Sequence, residues 1–128
     1  MIALLDTHTF LWAVLNDRRL SDTARKIWVT DGEELFLSVA SVWEVAIKVS
    51  LGRLSLDRPL EQYFHEELHG NNVDLLPLRI RDGAKLAELP FHHRDPFDRL
   101  IVAQALVDDI PVLSVDPQLD AYGIKRIW

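Results

Sequence analysis

The sequence predicts an α/β protein in which a short, mainly parallel central sheet is covered by helices on both faces. Two observations carry that expectation. Short, nearly continuous apolar runs alternate along the chain with longer stretches of helical periodicity, and such alternation builds right-handed crossovers between parallel strands. The short runs also lack a regular polar alternation, which suits strands with helices on either side.

The elements follow in order. IALL (2–5) reads as the first strand, with helical patterns over 7–16 and 22–30 behind it. LFLS (35–38) reads as the second, followed by helices over 41–51 and 59–69. VDLLPL (73–78) is the third, followed by helices over 80–88 and 96–108. PVLSV (111–115) and KRIW (125–128) complete the set. Gly52, Gly70 and Gly123 stand where helices are expected to stop, because glycine accepts the left-handed conformation that ends a helix.

The bulk composition narrows the classes. With 128 residues, the chain reads as one compact domain spanning 1–128, without repeats, low-complexity tracts or linkers. No apolar run approaches a bilayer span, and Met1 leads into IALLD without a basic region, so a cytoplasmic, non-membrane protein is expected. The absence of cysteine excludes disulfides and thiolate metal sites. A net charge of −6 argues against bulk electrostatic coating of nucleic acid. A nucleic-acid substrate would need a local basic patch or bound cations.

The chemistry lies in four acids at strand–helix junctions. Asp6 follows the first strand, Glu44 lies one turn into the helix after the second, Asp98 fronts the helix over 96–108, and Asp116 follows VLSV. Each has a bland explanation. Asp6 and Asp116 suit N-caps, Ser41-Val-Trp-Glu44 matches a capping box, and in DPFD Asp95 suits the cap with Pro96 and Asp98 behind it. Capping would be served equally by serine, threonine or asparagine, yet acids stand at all four places. In a parallel sheet the strands end on one edge, where α/β folds place ligands. Carboxylates gathered there repel one another, and a divalent cation relieves the repulsion. An all-oxygen set favours Mg²⁺ or Mn²⁺ over zinc.

LLDTHTFLW (4–12), SVASVWEVAIKVSLGRL (38–54), HRDPFDRLIVAQA (93–105) and VLSVDPQLDAYGI (112–124) together resemble the PIN-domain ribonucleases, and in particular the VapC toxins of toxin–antitoxin pairs. The resemblance covers nearly the whole chain. It implies a three-layer α/β/α sandwich and a Mg²⁺- or Mn²⁺-dependent endoribonuclease. It also implies inhibition by a cognate VapB-like antitoxin and, as is usual in the family, a homodimer. Carried over by position, the family's four acids are Asp6, Glu44, Asp98 and Asp116, as catalytic and metal-binding residues. Asp95, one turn from Asp98, is an alternative to share its role. Ser114 stands where the family often has threonine, so a hydroxyl is kept.

Other signals in the sequence compete with this one. HEELH (65–69) matches a zinc-protease pattern, with His65 and His69 as ligands and Glu66 as base. The helix ends at once, however, no third ligand follows, and Leu60, Phe64 and Leu68 form the apolar stripe, so a solvated helix is expected. A receiver module would need an acceptor aspartate after its third strand, where this chain carries RIRD. A DNA-directed nuclease of the same architecture stays open, since DNA offers the same phosphates. Lys48, Arg53, Arg94 and Arg99 are candidate phosphate contacts with solvated charge or ion pairing as the default. His8 is a candidate for the cleft, and Trp12, Trp28 and Trp43 are expected in the core or an interface.

Overall fold

The computed structural model describes residues 1–128. Five strands are present: β1 (Ile2–Leu5), β2 (Glu34–Ser38), β3 (Val73–Leu76), β4 (Val112–Leu113) and β5 (Arg126–Ile127). They lie in the order β3-β2-β1-β4-β5, and every neighbouring pair is parallel. Six helices join them: α1 (Thr7–Leu15), α2 (Asp22–Val29), α3 (Val39–Ser50), α4 (Leu60–Gly70), α5 (Ile80–Glu88) and α6 (Pro96–Asp108). A 3₁₀ helix at Pro117–Tyr122 leads into β5. No helix is long and apolar enough to cross a membrane.

The alternation of side chains along each strand divides the core in two. Ala3 and Leu5 of β1 and Leu35 and Leu37 of β2 face α1, α2, α3 and α4, where they pack with Phe10, Val45 and Phe64. Leu4 of β1 and Val112 of β4 face the other way, toward Ile101 and Val102 of α6 and Leu119 of the 3₁₀ helix. β1, β2 and β4 are therefore apolar on both faces, and the architecture is a three-layer α/β/α sandwich.

β1 is central, and the chain leaves it in opposite directions. It crosses first to β2 and β3 on one side and later to β4 and β5 on the other. This is the topological switch that opens a crevice at the carboxyl ends of the strands. Parallel pairing sets Leu5 against Leu113. One residue further on, Asp6 and Ser114 leave the sheet side by side.

Several boundaries differ from the sequence reading. β3 stops at Leu76 instead of 78, because Pro77 has no N–H for the ladder and its carbonyl accepts from Gln104 Nε2 at 2.9 Å. β4 and β5 are trimmed to two residues each. α3 begins two residues earlier than expected, with Ser38 as its cap: Ser38 Oγ accepts from the Ala40 N–H at 3.0 Å. The Ser41–Glu44 capping box is thus corrected, since both residues lie inside the helix. Gly70 ends α4 without a positive φ, and the left-handed turn beyond it is made by Asn72 at φ 55°. The 3₁₀ helix itself was not expected from the sequence, although both of its ends, Asp116 as a cap and Gly123 as a stop, were. It is capped by Asp116 and closed by Gly123 at φ 77°.

Candidate metal centre

Asp6 caps α1. Its Oδ1 accepts the Thr9 N–H at 2.8 Å, and only 6% of the residue is exposed. Burial pushes its carboxyl above the ordinary value, against the opposing pull of the Ser114 and Thr9 hydrogen bonds. Thr9 Oγ1 donates to the Leu113 carbonyl at 2.9 Å, which ties the start of α1 to β4.

Glu44 is not a cap. It lies in the second turn of α3 and is 3% exposed, with each oxygen occupied. Thr7 Oγ1 donates to Oε1 at 2.8 Å, and Lys48 Nζ approaches Oε2 at 2.6 Å. Ser41 Oγ lies 2.8 Å from the same Thr7 hydroxyl. A buried carboxylate held by a threonine of α1 and a lysine of its own helix is built for charge, which helix starting alone does not require.

Asp98 enters the same crevice from the start of α6. Asp95 caps that helix, its Oδ1 accepting from Phe97 N–H at 2.8 Å and Asp98 N–H at 3.2 Å, and Pro96 opens the first turn. Asp98 is left free of capping duty. Burial first, then the charges of Asp95, Glu44 and Asp6, push its carboxyl up to about 7, with His93 opposing. Repulsion from Glu44 and Asp6 places both in electrostatic reach of Asp98.

Asp116 caps the 3₁₀ helix through Oδ1, which accepts from Gln118 N–H at 2.9 Å. Its Oδ2 is turned the other way, 2.8 Å from His93 Nε2. The same nitrogen lies 3.3 Å from Asp98 Oδ2. One ligand-type atom from each of His93, Asp98 and Asp116 falls within 4.8 Å of the others.

The structure therefore brings Asp98 and Asp116 into one cluster and sets Asp6 and Glu44 at the same strand edge, outside that cluster of three. Asp95 faces its own helix as a cap. The donor chemistry fits a hard divalent cation: the oxygens are carboxylate, and Asp98, raised to about 7 by burial first and by the neighbouring acids second, is an acid that a cation would stabilise in its charged form. His93 is the residue the sequence reading missed. Its signal is local: it stands two residues before a helix cap, close enough for its ring to fold back on the Asp95 backbone. Thr7, beside Asp6 in the sequence, was missed as the partner of Glu44.

The remaining candidates lie elsewhere. His65 and His69 are solvent-exposed on α4, His65 facing Glu61 at 3.7 Å and Glu66 facing Arg58 at 3.3 Å, so HEELH assembles no zinc site. Phe64 is buried, and Leu60 and Leu68 pack beside it as expected. Arg99 donates to the Leu89 carbonyl at 3.0 Å and covers the Phe91 ring, which takes it out of the crevice. Arg94 is exposed. Lys48 and Arg53, with His8, Trp12 and Arg19, line a groove that begins at Thr7 beside Glu44. Trp12 and Trp28 pack against the core, whereas Trp43 is 61% exposed.

A family model of the PIN domain matches residues 3–125. No curated protein sequence matches the chain. Among solved structures, VapBC2 from Rickettsia felis bound to a promoter DNA fragment aligns with a TM-score of 0.70 at 14% identity, over 99% of this chain and 98% of that one. FitAcB from Neisseria gonorrhoeae aligns with a TM-score of 0.64 at 22% identity, over 100% and 97%. VapBC-1 from nontypeable Haemophilus influenzae aligns with a TM-score of 0.67 at 16% identity, over 99% and 97%. These likenesses concern the fold. The family match runs from β1 to the residue before β5 and takes in every acid described above, and the chain belongs to the PIN-domain family.

Proposed function

We propose that residues 1–128 form one nuclease domain that hydrolyses RNA phosphodiester bonds with Mg²⁺ or Mn²⁺. We further propose that it acts in the cytoplasm as the toxin of a toxin–antitoxin pair, silenced by a VapB-like antitoxin. The observation that carries the reading is the convergence of Asp98 and Asp116 at the sheet's switch point, where burial first, then the charges of Asp95, Glu44 and Asp6, push the Asp98 carboxyl up to about 7. On this reading Asp6, Glu44, Asp98 and Asp116 hold the cation. A divalent ion so held supplies Lewis acidity toward a phosphodiester and toward the water that attacks it.

The chain's own groups do the rest. Thr7 and Lys48 fix the two oxygens of Glu44. In the groove lined by Arg19, Lys48 and Arg53, Arg19 pairs with Asp17 and Lys48 with Glu44, which leaves Arg53 as the cation to receive a phosphate. The antitoxin and the toxin role rest on the family resemblance and on the likeness to the VapBC and FitAB structures. A homodimer rests on the resemblance too, supported by the exposed Trp43 and Ile47, one turn apart on α3.

The test is incubation of the purified chain with a panel of structured RNAs and matched DNAs, in EDTA, Mg²⁺ or Mn²⁺. Cleavage of RNA alone, only with metal, is the expected result. Cleavage of DNA in preference to RNA would replace the substrate. Unimpaired RNA cleavage in EDTA would remove the metal mechanism. Expression of the chain alone should slow host growth, and harmless accumulation would remove the toxin role.

A further inference from the structure

We propose that His93 is a positioning residue of this centre, whose Nε2 proton bridges Asp116 and Asp98, and that it is not a ligand of the metal. Imidazole nitrogens are told apart by what each one meets. His93 Nδ1 accepts the backbone N–H of Asp95 at 3.0 Å. A nitrogen that accepts carries no proton, so the ring's proton is on Nε2. That atom points between two carboxylates, 2.8 Å from Asp116 Oδ2 and 3.3 Å from Asp98 Oδ2. To bind a cation, Nε2 would have to give up its proton to Nδ1, which would then confront the Asp95 N–H donor. The backbone thus sets the tautomer against ligation and in favour of donation.

The ring has little freedom to escape this arrangement. Its side chain is only 12% exposed. The His93 backbone N–H donates to the Tyr122 hydroxyl at 2.9 Å, and the neighbouring His92 ring meets the Tyr122 ring edge-on. Tyr122 ends the 3₁₀ helix that Asp116 caps, and Asp95 caps α6, which carries Asp98. His93 therefore locks the starts of two separate helices to each other. Carboxylates held by such donors are spared the cost of being ordered when a cation arrives. The effect on metal binding rests on the metal-site reading proposed above, whereas the tautomer does not.

Two measurements on the full chain test this. In metal-free, ¹⁵N-labelled protein, imidazole correlations should show His93 with Nδ1 unprotonated and Nε2 protonated, the signal being assigned by its loss in His93→Gln. Addition of Mg²⁺ should leave that pattern unchanged. A proton on Nδ1, in either state, overturns the proposal. Calorimetric titration with Mn²⁺ supplies the second readout. His93→Ala should bind about tenfold more weakly or worse, while His93→Gln, which can present an N–H near the Nε2 position, should recover most of that loss. Equal losses in both variants, or unchanged or tighter binding by His93→Ala, also overturn it. If the wild type binds no Mn²⁺ and Mg²⁺ moves no resonance, the metal reading fails, and the metal-free tautomer still decides whether His93 bridges the acids.

Discussion

Lys48 Nζ lies 2.6 Å from Glu44 Oε2, one helical turn away on α3, and the two differ sharply in burial: Glu44 is almost sealed while the lysine side chain is 36% exposed. The lysine reaches in from the groove to a carboxylate that water barely touches. Lys48→Met should therefore leave Glu44 short of a partner and destabilise the metal-free protein by about 1 kcal/mol, less than for a fully buried pair because water reaches the lysine. Mn²⁺ should raise the melting temperature of Lys48→Met more than that of the wild type, since the cation replaces the missing charge. Equal rises in both proteins would separate Glu44 from the metal.

The amide series separates capping from metal binding. Asp6→Asn, Glu44→Gln, Asp98→Asn and Asp116→Asn keep an oxygen acceptor for every cap, but each removes one negative charge. RNA cleavage should fall by about a hundredfold or more in each, the scale of losing one contributor in a preorganised site. Asp95→Asn is the control. Its Oδ1 serves only the Phe97 and Asp98 N–H groups, so cleavage should stay close to wild type. A dead Asp95→Asn beside an active Asp98→Asn would move the third ligand to Asp95.

Asp98 also predicts a pH dependence. Its carboxyl is pushed from 3.8 to about 7 on folding, chiefly by burial, so between those values the folded protein holds a proton that the unfolded chain releases. The associated stability is fully present below the unfolded value and is lost as pH rises through the folded one. Melting of the metal-free wild type should accordingly fall relative to Asp98→Asn as pH rises toward neutrality. Parallel curves for the two proteins across that window would show that Asp98 titrates normally.

The same proton competes with the cation. Mn²⁺ affinity should weaken on acidification below about 7 in the wild type and depend less on pH in Asp98→Asn. Replacement of Mg²⁺ by Ca²⁺ should not support cleavage, because the larger ion accepts a looser and more crowded oxygen shell. Cleavage at comparable rates in Ca²⁺ would count against a tightly defined centre.

The parallel sheet and the five strands were legible in the sequence alone, because nearly continuous apolar runs such as IALL and PVLSV suit strands covered on both faces. The caps at Asp6, Asp95 and Asp116 were equally legible, being local matters of one side chain and the next two or three N–H groups. Glu44 was legible as an acid in the right place but not in its surroundings: its partner Thr7 lies 37 positions away and meets it only because β1 and β2 are neighbours. Tertiary structure alone decided the bridge between His93 and Asp116, 23 positions apart. The local contact of His93 Nδ1 with the Asp95 N–H leaves Nε2 without a partner until the 3₁₀ helix brings Asp116 against it. Local hydrogen bonding is written in short stretches of sequence, whereas contacts between loop ends exist only after the sheet has set their spacing.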